Sequence, residues 1–177
     1  MATRERLVAL LERDADAFRD GARAFLAAHG EDPDRVASDD ALLADAPLDA
    51  TRLSAHEREL VRRVRILDDA PLGLTVAGPA YEDNPVIYVN RTFRELTGYT
   101  LEDVRGENLR LLQGPDTDPG AVDALREATE IWEPVTVELL NYRADGTPFR
   151  NRVSLVPHSG ETGRITNWVG IQERVED

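Results

Sequence analysis

Five carboxamide side chains in the C-terminal half of the sequence could bind a ligand: Asn108, Gln113, Asn141, Asn151 and Gln172. A carboxamide carries a donor and an acceptor on one group, so a row of them matches a ligand edge that alternates carbonyl oxygens and N–H groups. Arg110 and Arg126 add guanidinium forks, which suit phosphate oxygens. Each of these residues taken alone is more simply a solvated polar residue.

Three of the carboxamides lie on predicted strands. Side chains alternate along residues 135–142, Asp145 and Gly146 predict a hairpin turn, and strands follow at 149–156 and 165–172. The sequence therefore predicts that Asn141, Asn151 and Gln172 lie on three adjacent strands. Alternate residues of a strand face the same way, so Asn151 shares one face with Val153 and Leu155.

The remaining elements of this region precede the three strands. Two short strands are predicted at residues 74–77 and 86–90, and helical segments at 91–97, after Thr100, and from Asp118 and Pro119 to about residue 130. Short turns join strands 3 to 5, which makes the sheet antiparallel. The predicted fold is α+β, with a five-stranded antiparallel sheet, helices on one of its faces and a helical extension at the N-terminus.

The first 70 residues predict helices. Apolar residues at three- and four-residue spacing indicate one amphipathic helix over residues 4–28, ended by Gly30, and a linker over 31–51 with one short helix at 39–44. Ser54 and Glu57 form a capping-box pattern that starts another helix, running towards Pro71. We divide the chain into a helical segment and linker (1–50), a connecting helix (51–70) and an α+β domain (71–177). The connecting helix either makes a dimer contact or packs on its own domain.

Composition limits the function classes. The net charge is −13, which disfavours direct binding to nucleic acid and fits a soluble surface or a high-salt cytoplasm. Neither a membrane span nor a secretory signal is apparent, so we expect a cytoplasmic protein. The chain has no cysteine and its three histidines are scattered, which gives no support to a metal site or to an enzyme.

The segment from Gly106 to Gly114 is the most specific pattern in the sequence. Its sequence, GENLRLLQG, resembles the signature of light-oxygen-voltage (LOV) domains, a subfamily of the PAS domains, in which Asn, a reactive Cys and Arg precede Leu-Gln-Gly. The resemblance covers roughly the last 110 residues. It includes Asp83-Asn84-Pro85, Phe93, Leu96-Thr97, Gly114-Pro115, Thr117-Asp118, Leu140-Asn141-Tyr142, Phe149, Asn151 and Gly170-Ile171-Gln172.

The resemblance implies a bound flavin. It assigns Asn141, Asn151 and Gln172 to the pyrimidine edge of the ring, and Leu155 and Trp168 to the apolar wall. Asn108 and Gln113 complete the polar contacts, and Arg110 and Arg126 are expected on the phosphate of flavin mononucleotide (FMN). The compact 113–119 segment favours FMN, with FAD or riboflavin as the other possibilities.

The sequence departs from the family at the reactive position, where Leu109 replaces the cysteine. Without sulfur no covalent adduct forms, so the remaining photochemistry is one-electron reduction of the flavin to its neutral semiquinone, with protonation of N5. Protonation turns N5 from an acceptor into a donor, so we expect Gln172 to be the signalling switch through rotation of its amide. The leucine is either natural or engineered.

Two functions remain open at this stage. The first is a blue-light or redox sensor without an adduct. The second is a PAS-type interaction or dimerisation module, with a structural flavin or none, although an empty pocket would leave buried amides unpaired. Besides flavin, the expected partners are a second copy, bound through the N-terminal helices, the connecting helix or the sheet face, and an effector that the sequence does not identify.

Overall fold

The computed structural model describes residues 2–34 and 52–176. The chain divides into two compact units, Met1–Pro71 and Leu72–Asp177. The helix predicted at residues 39–44, with the greater part of its linker, lies outside the described residues. The three-part division drawn from the sequence stays a prediction.

The N-terminal unit contains helices α1 (Thr3–Leu11), α2 (Ala15–Ala28) and α3 (Ala55–Ile66). The prediction of one continuous helix over residues 4–28 is wrong, because the chain breaks between α1 and α2. Asp14 adopts an extended backbone there and its carboxylate accepts a hydrogen bond from Ala17 N at 2.9 Å. Aspartate is a strong helix N-cap, and it starts a new helix even though the apolar periodicity continues across the break.

Helix α3 begins at the predicted capping box. Glu57 N donates to Ser54 Oγ at 3.1 Å, and Ser54 N donates to the Glu57 carboxylate at 3.2 Å. Further along α3, the buried Arg63 guanidinium donates to the carbonyl oxygens of Leu11 at 2.9 Å and Arg13 at 2.6 Å. These carbonyls lie at and beyond the C-terminus of α1 and lack partners within that helix, so Arg63 holds α3 against this end of α1.

The C-terminal unit is a five-stranded antiparallel sheet with the order β2-β1-β5-β4-β3. Its strands are β1 (Gly73–Ala77), β2 (Val86–Val89), β3 (Val135–Tyr142), β4 (Pro148–Ser159) and β5 (Ile165–Arg174). The α+β fold predicted from the sequence, with its antiparallel sheet and N-terminal helices, is confirmed. Because β5 lies between β1 and β4, its side chains occupy the centre of the sheet.

The segment between β2 and β3 forms the helical layer. It contains α4 (Arg91–Thr97), α5 (Leu101–Val104), a 3-10 turn (Leu109–Leu112) and α6 (Pro119–Ile131). Gly98 ends α4 in the left-handed region at φ 73°, and Asp118 caps α6 with proline in the first turn, as the sequence predicts.

Two packing features hold this layer on the sheet. Ala121 of α6 packs against Leu139 of β3 and Val153 of β4, so α6 covers the β3–β4 end. At the other end the fully buried Asn90 caps α4, and its Oδ1 also accepts a hydrogen bond from Leu74 N of β1 at 2.8 Å. No helix within residues 2–34 and 52–176 has the length and apolar character needed to cross a membrane.

Candidate functional site

A cavity of about 430 Å³ lies between the sheet and the helical layer. This volume lies within the range typical of small-molecule and cofactor sites. Strands β1, β3, β4 and β5 each contribute alternate residues to it, and the opposite wall comes from the 3-10 turn and α6. Nine of the ten residues proposed from the sequence line the cavity: Asn108, Leu109, Arg110, Gln113, Arg126, Asn141, Leu155, Trp168 and Gln172.

The tenth residue, Asn151, lies directly behind this lining. It is fully buried on β4, and its Nδ2 donates to Asn141 Oδ1 at 2.8 Å and to Gln172 Oε1 at 3.0 Å. The three carboxamides therefore form one hydrogen-bonded row across β3, β4 and β5. Asn151 does not itself line the cavity but fixes the orientation of two amides that do.

The row contains one unsatisfied acceptor. Within the described part of the chain, Asn151 Oδ1 is buried without a hydrogen-bond partner. A buried acceptor left unpaired costs about 1–3 kcal/mol, so a water or a ligand N–H that entered the row beside Asn141 and Gln172 would stabilise this atom. A ligand edge with both donors and acceptors is what this end of the cavity can bind.

The 3-10 turn carries the signature segment along the cavity wall. Asn108 caps it, accepting from Arg110 N at 2.8 Å, while its Nδ2 donates to the carbonyl oxygen of Asp83 at 2.8 Å. These bonds anchor the turn to the segment before β2 and direct Leu109 towards the cavity. At this position the wall is therefore aliphatic and carries no nucleophile.

The two arginines lie at the rim, where each already has a carboxylate partner. Arg110 forms a two-pronged ion pair with Asp83, in which Nη1 lies 2.7 Å from Oδ2, and Arg126 pairs with Asp123. The hydrogen bonds from Arg110 hold the pKa of Asp83 below its usual range, and Asp83 raises the pKa of Arg110. All four side chains are largely exposed. A phosphate at this rim would share or replace the carboxylates.

Sequence reasoning missed part of the cavity floor. Gly170 lies on β5 between Trp168 and Gln172, and a Cβ at Gly170 would stand 2.3 Å from Thr75 Oγ1 on β1. The glycine therefore allows two strands to present a flat surface to the cavity. The period of two along β5 could have found Gly170, because it faces the same way as Gln172. Thr75 becomes visible only through the pairing of β1 with β5.

These features fit a flavin. The walls are apolar at Leu109, Leu155 and Trp168, the floor is flat at Gly170, and amides with an unsatisfied acceptor lie at one end. The guanidinium groups of Arg110 and Arg126 stand at the rim. A flavin nucleotide is a planar heterocycle with a polar edge and a phosphorylated tail, so its polar and apolar parts match those of the cavity.

A twisted sheet of order 2-1-5-4-3, covered on one face by short helices and one longer helix, defines a PAS-type sensor domain. The PAS domain family model matches residues 73–174. The chain belongs to the PAS family, and its relatives place it in the LOV subfamily, as a member that lacks the adduct-forming cysteine.

Among the relatives, blue-light-activated histidine kinase 1 of Erythrobacter litoralis is 40% identical over 133 residues, which are 75% of this chain and 34% of the kinase. The bacterioopsin transcriptional activator of Halobacterium salinarum is 36% identical over 68% of this chain and 18% of its own length. The chain thus matches about a third or less of these two proteins.

Solved structures agree with this assignment. The LOV domain of a blue-light-activated histidine kinase from Erythrobacter litoralis is 42% identical and superposes with a TM-score of 0.57, covering 60% of this chain and 98% of that domain. The dark structure of the blue-light photoreceptor aureochrome 1 LOV domain is 41% identical, with a TM-score of 0.59, over 63% of this chain and 80% of that one.

Proposed function

We propose that this chain is a flavin-binding sensor of blue light or redox state that signals without a cysteinyl adduct. The observation that carries the proposal is the buried row Asn141, Asn151 and Gln172, with its unsatisfied acceptor, at one end of a cavity whose reactive position holds Leu109. The names of its relatives, which are blue-light-activated proteins, favour light as the stimulus.

FMN is the proposed cofactor, with riboflavin and FAD as alternatives. The segment after the signature is compact and tied to β3, since Thr117 Oγ1 donates to the Leu140 carbonyl at 2.7 Å and accepts from Gly114 N at 3.0 Å. A Cβ at Gly114 would collide with the Tyr142 ring, 2.3 Å away. This tight connection supports a mononucleotide whose phosphate meets Arg110 and Arg126.

A bound flavin supplies blue-light absorption and accepts one electron, giving the neutral semiquinone proposed from the sequence once N5 is protonated. The protein's response is assigned to Gln172. Gln172 Oε1 accepts a hydrogen bond from Asn151 Nδ2. The N–H groups of the Gln172 amide can then donate to flavin N5, which is an acceptor in the oxidised ring. When N5 is protonated it becomes a donor, so the Gln172 oxygen Oε1 must face N5 in place of the N–H groups. Rotation of the Gln172 amide then breaks the bond to Asn151 and carries the change from β5 into β4.

We propose that the output of the sensor is carried out by another part of the protein or by a partner protein. The kinase relative is about three times as long as the matched region, so the sensor domain accounts for a minor share of that protein. We propose a non-enzymatic sensory module that acts on an effector, in a homodimer formed through the N-terminal helices, α3 or the sheet face. We further propose a cytoplasmic location.

A second candidate is a PAS-type interaction module with a structural flavin or none. The observation that favours it is the rim, where Asp83 and Asp123 neutralise the two arginines that a phosphate would need. In that case the ion pairs between these arginines and carboxylates would be permanent, and the cavity would bind no phosphorylated ligand.

An anaerobic absorbance spectrum distinguishes the two candidates. The purified protein is mixed with FMN and a mild reductant and is recorded before and during blue illumination. We expect a structured flavin band that is replaced by the band of the one-electron-reduced, protonated form and recovers on admission of air. A protein that takes up no flavin would favour the interaction module, and one that binds flavin but never photoreduces would refute signalling by reduction.

A further inference from the structure

We propose that Trp168 and Trp132 form a two-step electron relay from the protein surface to the flavin cavity. This inference rests on the proposed function, because it names the residues that supply the electron for flavin photoreduction. The chain contains two tryptophans and four tyrosines, all within the described residues. Of these six side chains, Trp168 is the one that lines the cavity.

Trp168 is the inner member of the relay. It lies on β5 at 2% exposure, on the same face as Gly170 and Gln172, so its indole forms part of the wall that a cavity ligand contacts. Tryptophan and tyrosine are the most readily oxidised of the aromatic side chains, and electron transfer requires close approach. The tyrosines are less suitable: Tyr81 is 75% exposed, and Tyr142 OH is within 3.4 Å of the Asp116 carboxylate at the surface.

Trp132 is the outer member and stacks on Trp168. The ring centroids are 6.1 Å apart and the ring planes differ by 17°, which is an offset stack of two indoles in contact. Trp132 follows α6 and is partly exposed to solvent. The pair therefore spans the distance from the cavity wall to water without an intervening side chain.

The surroundings of the two rings give the relay a direction. Among the described residues Trp168 Nε1 has no hydrogen-bond partner and is buried, so the radical cation formed on Trp168 has no acceptor for its proton. A buried unpaired charge is unfavourable, which drives the positive charge outward. At the partly exposed Trp132 water can take the proton, and loss of the proton traps the oxidised state away from the flavin.

The backbone at Trp132 is unusual for a bulky residue. Trp132 ends α6 in the left-handed region at φ 59°, where glycine is favoured and a bulky residue is strained. At the end of α4 the corresponding position is Gly98. At this position the Trp132 ring stacks on Trp168.

Electrons and protons balance in the following way. Trp168 gives one electron to the photoexcited flavin, and Trp132 gives one electron to Trp168. Trp132 then releases its Nε1 proton to water, while flavin N5 takes up one proton from solvent. The neutral Trp132 radical is reduced by an external thiol or ascorbate, which supplies one electron and one proton. The net reaction moves one electron and one proton from that reductant to the flavin.

The test uses the full chain loaded with FMN, and the variants Trp168→Phe and Trp132→Phe. In Trp168→Phe we expect loss of rapid quenching, seen as a rise in flavin emission, and loss of photoreduction. In Trp132→Phe we expect quenching to remain while the long-lived tryptophan radical and the accumulation of reduced flavin are lost, because the charge recombines from Trp168. Tyr81→Phe, an exposed aromatic outside the cavity lining, should behave as the unchanged protein does.

Two measurements keep the inference testable if a variant fails to fold. In the unchanged protein, ring-deuterated tryptophan should narrow the protein-radical signal in electron paramagnetic resonance. In the unchanged, flavin-free protein, near-ultraviolet circular dichroism should show the exciton signal of two stacked indoles. A tyrosine radical, or undiminished photoreduction in either variant, would overturn the relay and leave the proposed function intact. Failure of the unchanged protein to bind FMN would instead refute the proposed function itself.

Discussion

Asn151 Nδ2 lies 3.0 Å from Gln172 Oε1, which joins β4 to β5 by a side-chain hydrogen bond in the buried interior of the sheet. The same Nδ2 also donates to Asn141 Oδ1, so one amide group sets the orientation of both neighbours. A change in the hydrogen-bond partner of Gln172 therefore also changes the hydrogen bonding of Asn151. This arrangement gives the proposed switch a short path into the adjacent strand.

The first prediction concerns the reactive position. Leu109→Cys places a thiol on the cavity wall, and we expect it to restore adduct formation with bound flavin. The measurement is the reversible bleaching of flavin absorbance under blue light, followed by recovery in the dark. A flavin-loaded Leu109→Ser protein is the matched control and should not bleach in this way. Absence of bleaching in the loaded cysteine variant would mean that the 3-10 turn lies differently relative to the flavin.

The second prediction concerns the switch. Gln172→Leu should leave flavin bound but abolish the light-dependent change in the amide region of the infrared difference spectrum, because no rotating amide remains beside N5. Gln113→Leu is the matched control, since Gln113 lines the cavity from the opposite wall and does not lie on β5. The flavin-bound fraction of Gln113→Leu should keep the full light-dependent change in the infrared difference spectrum. An undiminished response in Gln172→Leu would assign signalling to another group.

The third prediction separates the phosphate from the ring. The double variant Arg110→Ala and Arg126→Ala should weaken FMN binding by about 3 kcal/mol, because each arginine supplies a charge-assisted hydrogen bond that stabilises the complex by roughly 1.5 kcal/mol. Riboflavin has no phosphate, so its affinity should change little. Parallel titrations with the two ligands measure the difference, and equal weakening would remove both arginines from the phosphate assignment.

The fourth prediction concerns Asp83, whose carboxylate forms an ion pair with Arg110. Asp83→Asn removes the competing charge, and the left-handed backbone at φ 67° suits asparagine as well as aspartate. We expect a modest rise in FMN affinity, because an exposed ion pair competes only weakly for the guanidinium. Asp145→Asn, which removes the same charge at a hairpin outside the cavity lining, should have no effect.

The pH dependence of this ion pair has a definite sign. Arg110 holds the pKa of Asp83 below its usual range, so the pair is complete at neutral pH and is lost only as the pH falls through that lowered value. The benefit of Asp83→Asn should therefore be constant between about pH 8 and 9, where both the Asp83 carboxyl and the FMN phosphate are fully ionised. A benefit that disappeared within this interval would contradict the assignment.

The fifth prediction tests the cavity floor. Gly170→Ala brings a Cβ to within 2.3 Å of Thr75 Oγ1, and we expect it to destabilise the folded protein by about 1–3 kcal/mol, as overpacking of a buried site does. Thr75→Ala removes the opposing hydroxyl and should recover most of that loss in the double variant. Chemical unfolding of the single and double variants gives the comparison. No coupling between the two sites would mean that the strands do not approach as closely as described.

Local patterns in the sequence are enough to predict the elements of the sensor domain, because these patterns agree with the final fold. The capping residue Asp118, the terminating Gly98 and the alternation along β3 to β5 each predict an element that the structure contains. The helix break at Asp14 was missed because apolar periodicity continues through it, and only the backbone hydrogen bonds reveal the cap.

Which side chains meet depends instead on the tertiary structure. The family resemblance assigns Asn151 to the flavin ring, and this assignment stays a prediction. The pairing of β4 with β5 and β3 adds that Asn151 is the common hydrogen-bond donor to Asn141 and Gln172, which no sequence pattern indicates. The stack of Trp132 on Trp168 likewise joins two residues that no local pattern connects. Strand register and the position of α6 set these contacts, since both depend on burial of the whole core rather than on neighbours in sequence.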